Sequence, residues 1–414
     1  MTPRILTNPI LADRLKLMIH RVKFPRSVVV LFALALMLSA FAWALGPPTT
    51  RADFRPAGAV YALTNVAAGN AVAVFNRAAN GTLTPAGLVP TGGLGIGDQA
   101  DAEGLGSQGA LALSSAGHSL FRGTRWLFAV NGGSRDISVF AVTDSGLTLV
   151  DRVPSHGPRP ISLTVFGNLL YVLNFNRQAG GEGNITGFTI GRDGHLRPLP
   201  GSTRPLSARD ADPGEVQFSP NGNLLAVTEK ATSRIVTYKV GSDGLPGNPM
   251  ANAAAAIAPF ALAFGRRNVL ITADDFFDAD GQAAASSYIV SDDGTLRLMS
   301  GPVHNTQTAA CWVAITGFGN YAYVANTNSG TLTGYGISFE GNLRLLNDDG
   351  ITAVIGAGTK VRDLALSDDS RFLYSLNSAA GTVSAFQVRA NGSLRLLDVA
   401  GGIPAPGSNG LAAR

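Results

Sequence analysis

The chain is predicted to fold as an all-β, seven-bladed β-propeller with four antiparallel strands per blade, its ring closed by the C-terminal strand. Three observations carry that reading. Seven aromatic residues recur in short alternating runs: Phe75, Phe140, Phe188, Tyr238, Tyr288, Tyr335 and Phe386. Each is followed six residues later by a glycine: Gly81, Gly146, Gly194, Gly244, Gly294, Gly341 and Gly392. Another apolar run precedes each aromatic one: "VYALTN", "WLFAVN", "LLYVLN", "LLAVTE", "VLITAD", "YAYVAN" and "FLYSLN". Seven units of about 50 residues with this content match the repeat of a propeller.

Each strand of the unit has its own justification. The glycine, mostly preceded by Asp or Asn as in "SDDG" and "RANG", supplies the positive φ of a tight hairpin turn. A leucine follows within two residues and starts the returning outer strand, as in "GTLRLM" and "GSLRLL". Before the second apolar run lies an innermost strand, as in "GALALS", "PISLTVF", "EVQFSPNG" or "RDLALSDDS". The runs are short and alternate, so they are strands rather than helices. The first unit lacks an innermost strand. The chain's end, "PAPGSNGLAAR", resembles the lead-in "GSQGALALS" and is expected to supply it, since the ring would otherwise keep an unpaired sheet edge. The aromatic column is core packing, because every unit has it.

The chain has 414 residues, 45% of them hydrophobic, enough for a large core. Its sequence pI near 9.3 comes from the front. Removing the six basic residues and Asp13 of the first 50 leaves 26 basic and 27 acidic residues from Arg51 onward, net −1. A nucleic-acid partner needs a basic face on the folded domain, so none is expected. Arg21, Lys23 and Arg26 precede the apolar run 28–45, which ends in two A-x-A sites. Residues 1–45 therefore read as a cleaved signal peptide or as an uncleaved anchor, a membrane tether through residues 28–45. Met18 gives a more ordinary signal start than Met1. Residues 46–57 read as a linker and 58–414 as the propeller, a monomer outside the cytoplasm. The single cysteine, Cys311 in "AACWVAI", excludes an intrachain disulfide and fits a buried strand.

With strands labelled a to d from the axis outward, b–c loops and d–a connections share one face of the ring. The a–b and c–d loops share the other. His156 and His304 fall in d–a connections, His118 in an a–b loop and His195 in a c–d turn. The residue ending each b strand is Asn65, Asn131, Asn174, Glu229, Asp274, Asn326 or Asn377. Asn and Asp there are expected to cap their own turns. Glu229, one methylene longer, fits that role less well.

The units "FSPNGNLLAVTEKATSRIVTYKVGSDG" and "LALSDDSRFLYSLNSAAGTVSAFQVRANGSLRLL" resemble the bacterial lactonase-type propellers, the family of 6-phosphogluconolactonase and carboxymuconate cyclase relatives. The resemblance covers about residues 58–414. It implies lactone ring opening or closing at the mouth of the central channel, with a small-molecule or lactone ligand. Active members carry a "PHPHS"-like lead-in where this chain has "PRPIS", so Arg159 and Ile161 occupy the histidine positions. Their "GPRH" becomes "DPGE", with Gly214 and Glu215 at the Arg and His positions. Their "NE" becomes Glu229-Lys230, with Lys230 at the glutamate position.

The candidate site at the channel mouth on the b–c/d–a face therefore comprises Glu229, His156 and Arg159 as catalytic residues. Lys230, Glu215, Asp274, His304 and Arg362 are the substrate-binding candidates. A carboxylate or histidine would act as general base on water, and Arg159 or Arg362 would hold an acidic substrate. The competing reading is plain charge pairing, Glu229 with Lys230 and Arg362 with Asp363, in a non-catalytic ligand-binding or protein-interaction propeller. "DDFFDADGQ" resembles part of a calcium loop at Asp278 and Asp280 but lacks the distal Glu, and reads as a polar insertion. No metal and no cofactor is expected. "TGGLGIG" has no strand-to-helix context for a nucleotide. With "DQADAEGLGSQG" it reads as a long loop over the channel face, in the position of a lid.

Overall fold

A computed structural model of the chain describes residues 56–98, 105–115, 123–175, 177 and 182–414. The leader 1–45, most of the linker and His118 lie outside the described residues.

Seven antiparallel sheets follow one another around the ring. Blade 4 shows the pattern: strand a is Pro213–Phe218, b Leu224–Glu229, c Arg234–Lys239 and d Met250–Ala253. The b strands are almost wholly buried, whereas strand d is exposed along most of its length. The sequence puts near-continuous apolar runs in b and mixed runs in d for that reason. All seven turn glycines adopt positive φ, between 81° and 126°.

Strand a of the first blade is Leu411–Ala413, which pairs antiparallel with strand b, Gly58–Leu63. The C-terminus thus closes the ring, as the sequence predicts. The aromatic column is buried and joins neighbouring blades. The Tyr238 hydroxyl donates to Pro205 O and the Tyr335 hydroxyl to Val303 O, each on the outer strand of the preceding blade. Tyr171, Tyr323 and Tyr374 on the b strands donate to the turn glycines 244, 392 and 81 of the following blade.

The innermost strands carry a device that the sequence pattern does not reveal. Their inner edge faces the channel and has no strand to pair with. Buried N–H groups there need other acceptors. Side chains of the preceding blade supply them. Ser162 Oγ accepts from Val216 N, Thr164 Oγ1 from Phe218 N, Glu215 Oε2 from Leu262 N, Gln217 Oε1 from Phe264 N and Asp363 Oδ2 from Leu411 N. In five of these strands the register shifts at the lead-in residues, as between Pro213 and Glu215 or Val361 and Leu364. Such bulges re-aim side chains, here across the gap between blades.

Candidate functional site

The b–c/d–a mouth of the channel is occupied by the chain itself. The connection from blade 1 to blade 2 is long. Its last part, Leu105–Gly109, crosses the channel as a strap. Ser107 Oγ donates to Ile161 O of blade 3, and Ser107 O accepts from Trp312 Nε1 of blade 6. The Gln108 side chain makes a two-bond clasp on Val313, Nε2 to its carbonyl and Oε1 from its amide, both at 2.9 Å. Gln108 N donates to Gly214 O of blade 4. Ser107 is fully buried and Gln108 nearly so. The earlier part of the connection lies on blades 1 and 2, where Asn65 bonds Ile96 N and Gly97 O. The expected lid is thus a fixed cover over Leu105–Gly109; residues 99–104 lie outside the described region.

Two of the expected mouth residues hold the long connection, Lys230 at the strap and Arg362 at Asp98 before it. Lys230, 7% exposed, donates from Nζ to Gly106 O at 2.9 Å, lies 3.7 Å from Asp212 and sits 4.3 Å over the Phe260 ring. Phe260 packs on Trp312, so a cation, two rings and the strap form one stack. Arg362, 5% exposed, reaches Asp98 Oδ1 at 3.0 Å, while its buried Nε has no hydrogen-bond partner among the described residues. The anticipated pairing of Arg362 with Asp363 does not occur. Arg159 is half-buried, and burial first and nearby Arg135 second hold its guanidinium below the usual value. It packs beside Gly132, together with Leu105 and Ile96. Ile161 shares its lead-in and offers the carbonyl that Ser107 uses.

Glu229 is a correction to the expected mouth. It is bonded to the d–a connection that enters its blade and to its own b–c loop, not to Lys230. Its carboxylate accepts from Ser207 N, Ser207 Oγ and Thr232 Oγ1. The extra methylene that made it unusual reaches the d–a connection, which an Asn could not. The Asn column also differs from the expected turn cap. Asn131, Asn326 and Asn377 donate to groups five and seven residues on, across the hairpin on strand c: Asp136 and Ser138, Thr331 and Thr333, Thr382 and Ser384. Asp274 occupies the same column. As an acceptor it takes bonds from Thr272 and Ser286, and burial raises its carboxyl to about 6. It lies between strands b and c of its blade, away from the mouth.

The histidines do not join these groups. His156, in the left-handed region at φ 57°, is exposed beside the Phe188 ring. His304 ends strand d, Leu296–His304, instead of lying beyond it. That places it on the outer strand, with Nδ1 2.9 Å from Gln282 O and its ring beside Phe276. Cys311 is buried, as expected, 3.7 Å from Asp275. Asp278 accepts from Asn328 Nδ2. Among the described residues no three His, Cys, Asp or Glu side chains cluster closely enough to hold a metal ion.

Glu215 lies below the strap, where it meets a residue that the sequence did not single out as a site. Register against strand b places Glu215 and Asp363 at the same level of their strands, opposite Thr228 and just before the Leu364–Ser375 pair. Both line a channel cavity of about 370 Å³. Burial raises Glu215 well above its ordinary value, against the Leu262 N–H and helped by the Asp363 charge. Burial likewise lifts Asp363 to about 8, against two backbone N–H bonds. Aligning "DPGEVQF" with "KVRDLAL" would have shown two acids at one position of the innermost strand.

No family model matches the chain, and no curated protein sequence matches it. Solved structures do. A "putative 6-phosphogluconolactonase" of Bacteroides fragilis is 18% identical, with TM-score 0.62, covering 89% of this chain and 100% of that one. The periplasmic gluconolactonase of Pseudomonas aeruginosa is 16% identical, with TM-score 0.63, covering 86% and 98%. A "putative 6-phosphogluconolactonase" of Bacteroides uniformis is 17% identical, with TM-score 0.60, covering 86% and 99%. At these identities the likeness is one of fold, that of lactonase-like seven-bladed propellers.

Proposed function

We propose that the protein is an extracytoplasmic, monomeric lactonase-like propeller that takes a small acidic lactone at the b–c/d–a mouth, in the place of the strap. One observation carries the reading. Two nearly buried cations, Lys230 and Arg362, lie there: Lys230 holds the strap carbonyl Gly106 O and has Asp212 only at 3.7 Å, and Arg362 is paired with the partly exposed Asp98 of the same connection. Arg362 keeps a buried donor in reserve at Nε. Buried cations call for anionic partners. A phosphorylated or carboxylated lactone would supply a further one where the strap now lies, with Arg159 beside Leu105 at the same mouth. The fold likeness to a protein named as a periplasmic gluconolactonase supports a lactone ligand and the location.

A second reading, ligand binding without turnover, draws on Glu229. Its three hydrogen bonds to the d–a connection and the b–c loop occupy it and argue against a base at the mouth, leaving His156 as the exposed group in the neighbouring connection. A panel of neutral and phosphorylated sugar lactones, followed by pH-stat and by melting shift, separates the readings. An acidic lactone should raise the melting temperature, and Arg362→Ala should weaken that binding about tenfold or more. Proton release would establish hydrolysis; a shift without proton release establishes binding alone. No shift with any acidic lactone would remove the proposal.

A further inference from the structure

The other end of the channel has a different chemistry. The cavity below Gln108 runs along the innermost strands to the a–b turns, where Phe166 and Pro220 are exposed. Its polar lining includes Thr164, Glu215, Gln217 and Asp363, with no Lys, Arg or His. These four side chains already accept hydrogen bonds from inner-edge amides of the following blade. Acceptance leaves their donors unused. Thr164 keeps its O–H and Gln217 its amide N–H₂; neither donates to any described residue. Glu215 is 3% exposed, and among the described residues its carboxylate is bonded only at Oε2. A neutral carboxyl can place an O–H there.

We propose that this cavity, entered from the a–b face, is a second ligand site for a small uncharged molecule rich in carbonyl, ether or hydroxyl oxygens. Unused donors on a buried wall favour an acceptor-rich guest, and the absence of any basic group disfavours an anion. The site is separate from the mouth, because the Gln108 clasp lies between them.

The two acids tie binding to pH. Asp363 is the group whose charge reaches Glu215. The neighbouring strands a, Pro160–Phe166 and Pro259–Phe264, carry no titratable residue. Behind Glu215, Glu229 is bonded to Ser207. Around Asp363, Cys311 faces Asp275, Tyr374 donates to Gly81 O, and Arg362 is paired with Asp98. Burial raises both acids, Asp363 to about 8, and so favours their neutral, donating form. On ionisation they become acceptors, which repel oxygen ligands and attract cations.

The test is an NMR titration of the full propeller with methyl glucoside and δ-valerolactam at pH 6 and pH 9.5, beside tetramethylammonium as a cationic probe. The neutral probes should bind at pH 6 and weaken about tenfold or more at pH 9.5. Glu215→Gln keeps an N–H donor at the same place, so it should retain binding and lose part of the pH dependence. Leu113→Trp, at the half-buried a–b end of the cavity, should abolish binding while the melting curve shows a folded ring. Binding that strengthens with pH, or favours tetramethylammonium, overturns the proposal in favour of a cation site. Binding indifferent to Leu113→Trp, or none at either pH, overturns it outright.

Discussion

The two ends of the channel are made from the same seven strands and have opposite character. At the b–c/d–a mouth the polar groups are cations, Lys230 and Arg362, and a strap covers them. Toward the a–b end they are hydroxyl, amide and carboxylic acid, and the cavity reaches the turns. The difference lies in which residues of a strand reach the axis. Lead-in residues and the long d–a connection furnish the mouth; the residues after the bulge furnish the cavity. One ring can therefore hold two chemically distinct ends without changing any blade.

The severest way to break the comparison is to open the ring, which should damage both ends together. Deleting residues 402–414 removes the strand that pairs with Gly58–Leu63 and the amide that Asp363 holds. We expect a melting temperature lower by about 10 °C or more, since several kcal/mol of burial and pairing are lost. An unchanged melt would sink the closure as a stabilising feature.

A pH series sharpens the contrast next, because only the cavity end holds raised acids. The unfolded chain gives up the Asp363 proton near its ordinary 3.8, whereas the folded chain keeps it to about 8. The folded state thus holds the extra proton between those values. Stability is full below about pH 4, falls as pH rises, and levels off above about 8. Asp274 adds the same sign up to about 6. Denaturant melts from pH 4 to 9 should show a loss on the order of a few kcal/mol. Glu215→Gln should make the slope shallower. A stability that rises across this range would contradict neutral buried acids.

At the other end, Lys230→Ala should loosen the strap alone. Exchange of the Gln108 amide, now bonded to Gly214 O, should quicken about tenfold while the b strands stay protected. Equal protection in variant and parent would mean that the clasp on Val313 suffices. The smallest effect is expected at Glu229. Glu229→Gln keeps one acceptor for Ser207 N and should cost about 1 kcal/mol in a chemical melt. Ligand affinity at both ends should not change. A large loss of lactone turnover in this variant would return Glu229 to the mechanism.

The fold was legible because its signals are local. A turn glycine six residues after an aromatic needs only hairpin chemistry to be read, and all seven adopt the required φ. Closure was legible because "GSNGLAAR" resembles the other lead-ins. The mouth was legible only in part. Lys230 and Arg362 do reach it, but their partners include the strap and Asp98 of the same long connection, and the strap's Gln108–Val313 clasp joins residues 205 apart. No repeat unit encodes such a contact. Glu229 was noticed for breaking the Asn column, and its direction was misjudged. A carboxylate with one more methylene meets Ser207, which belongs to no column. Asp363 was passed over because its neighbour Arg362 invited a pairing across one peptide bond.

The closing strand also sets a timetable. The contact between Tyr61 and Arg414 spans 353 residues, nearly the whole propeller. A contact so distant along the chain is slow to form. Six blades can be assembled while the first still lacks its innermost strand. Because the chain is made from its N-terminus, the ring cannot lock until the last residues emerge. Release of the final strand is therefore the event that completes the first blade and turns an open arc of sheets into a ring.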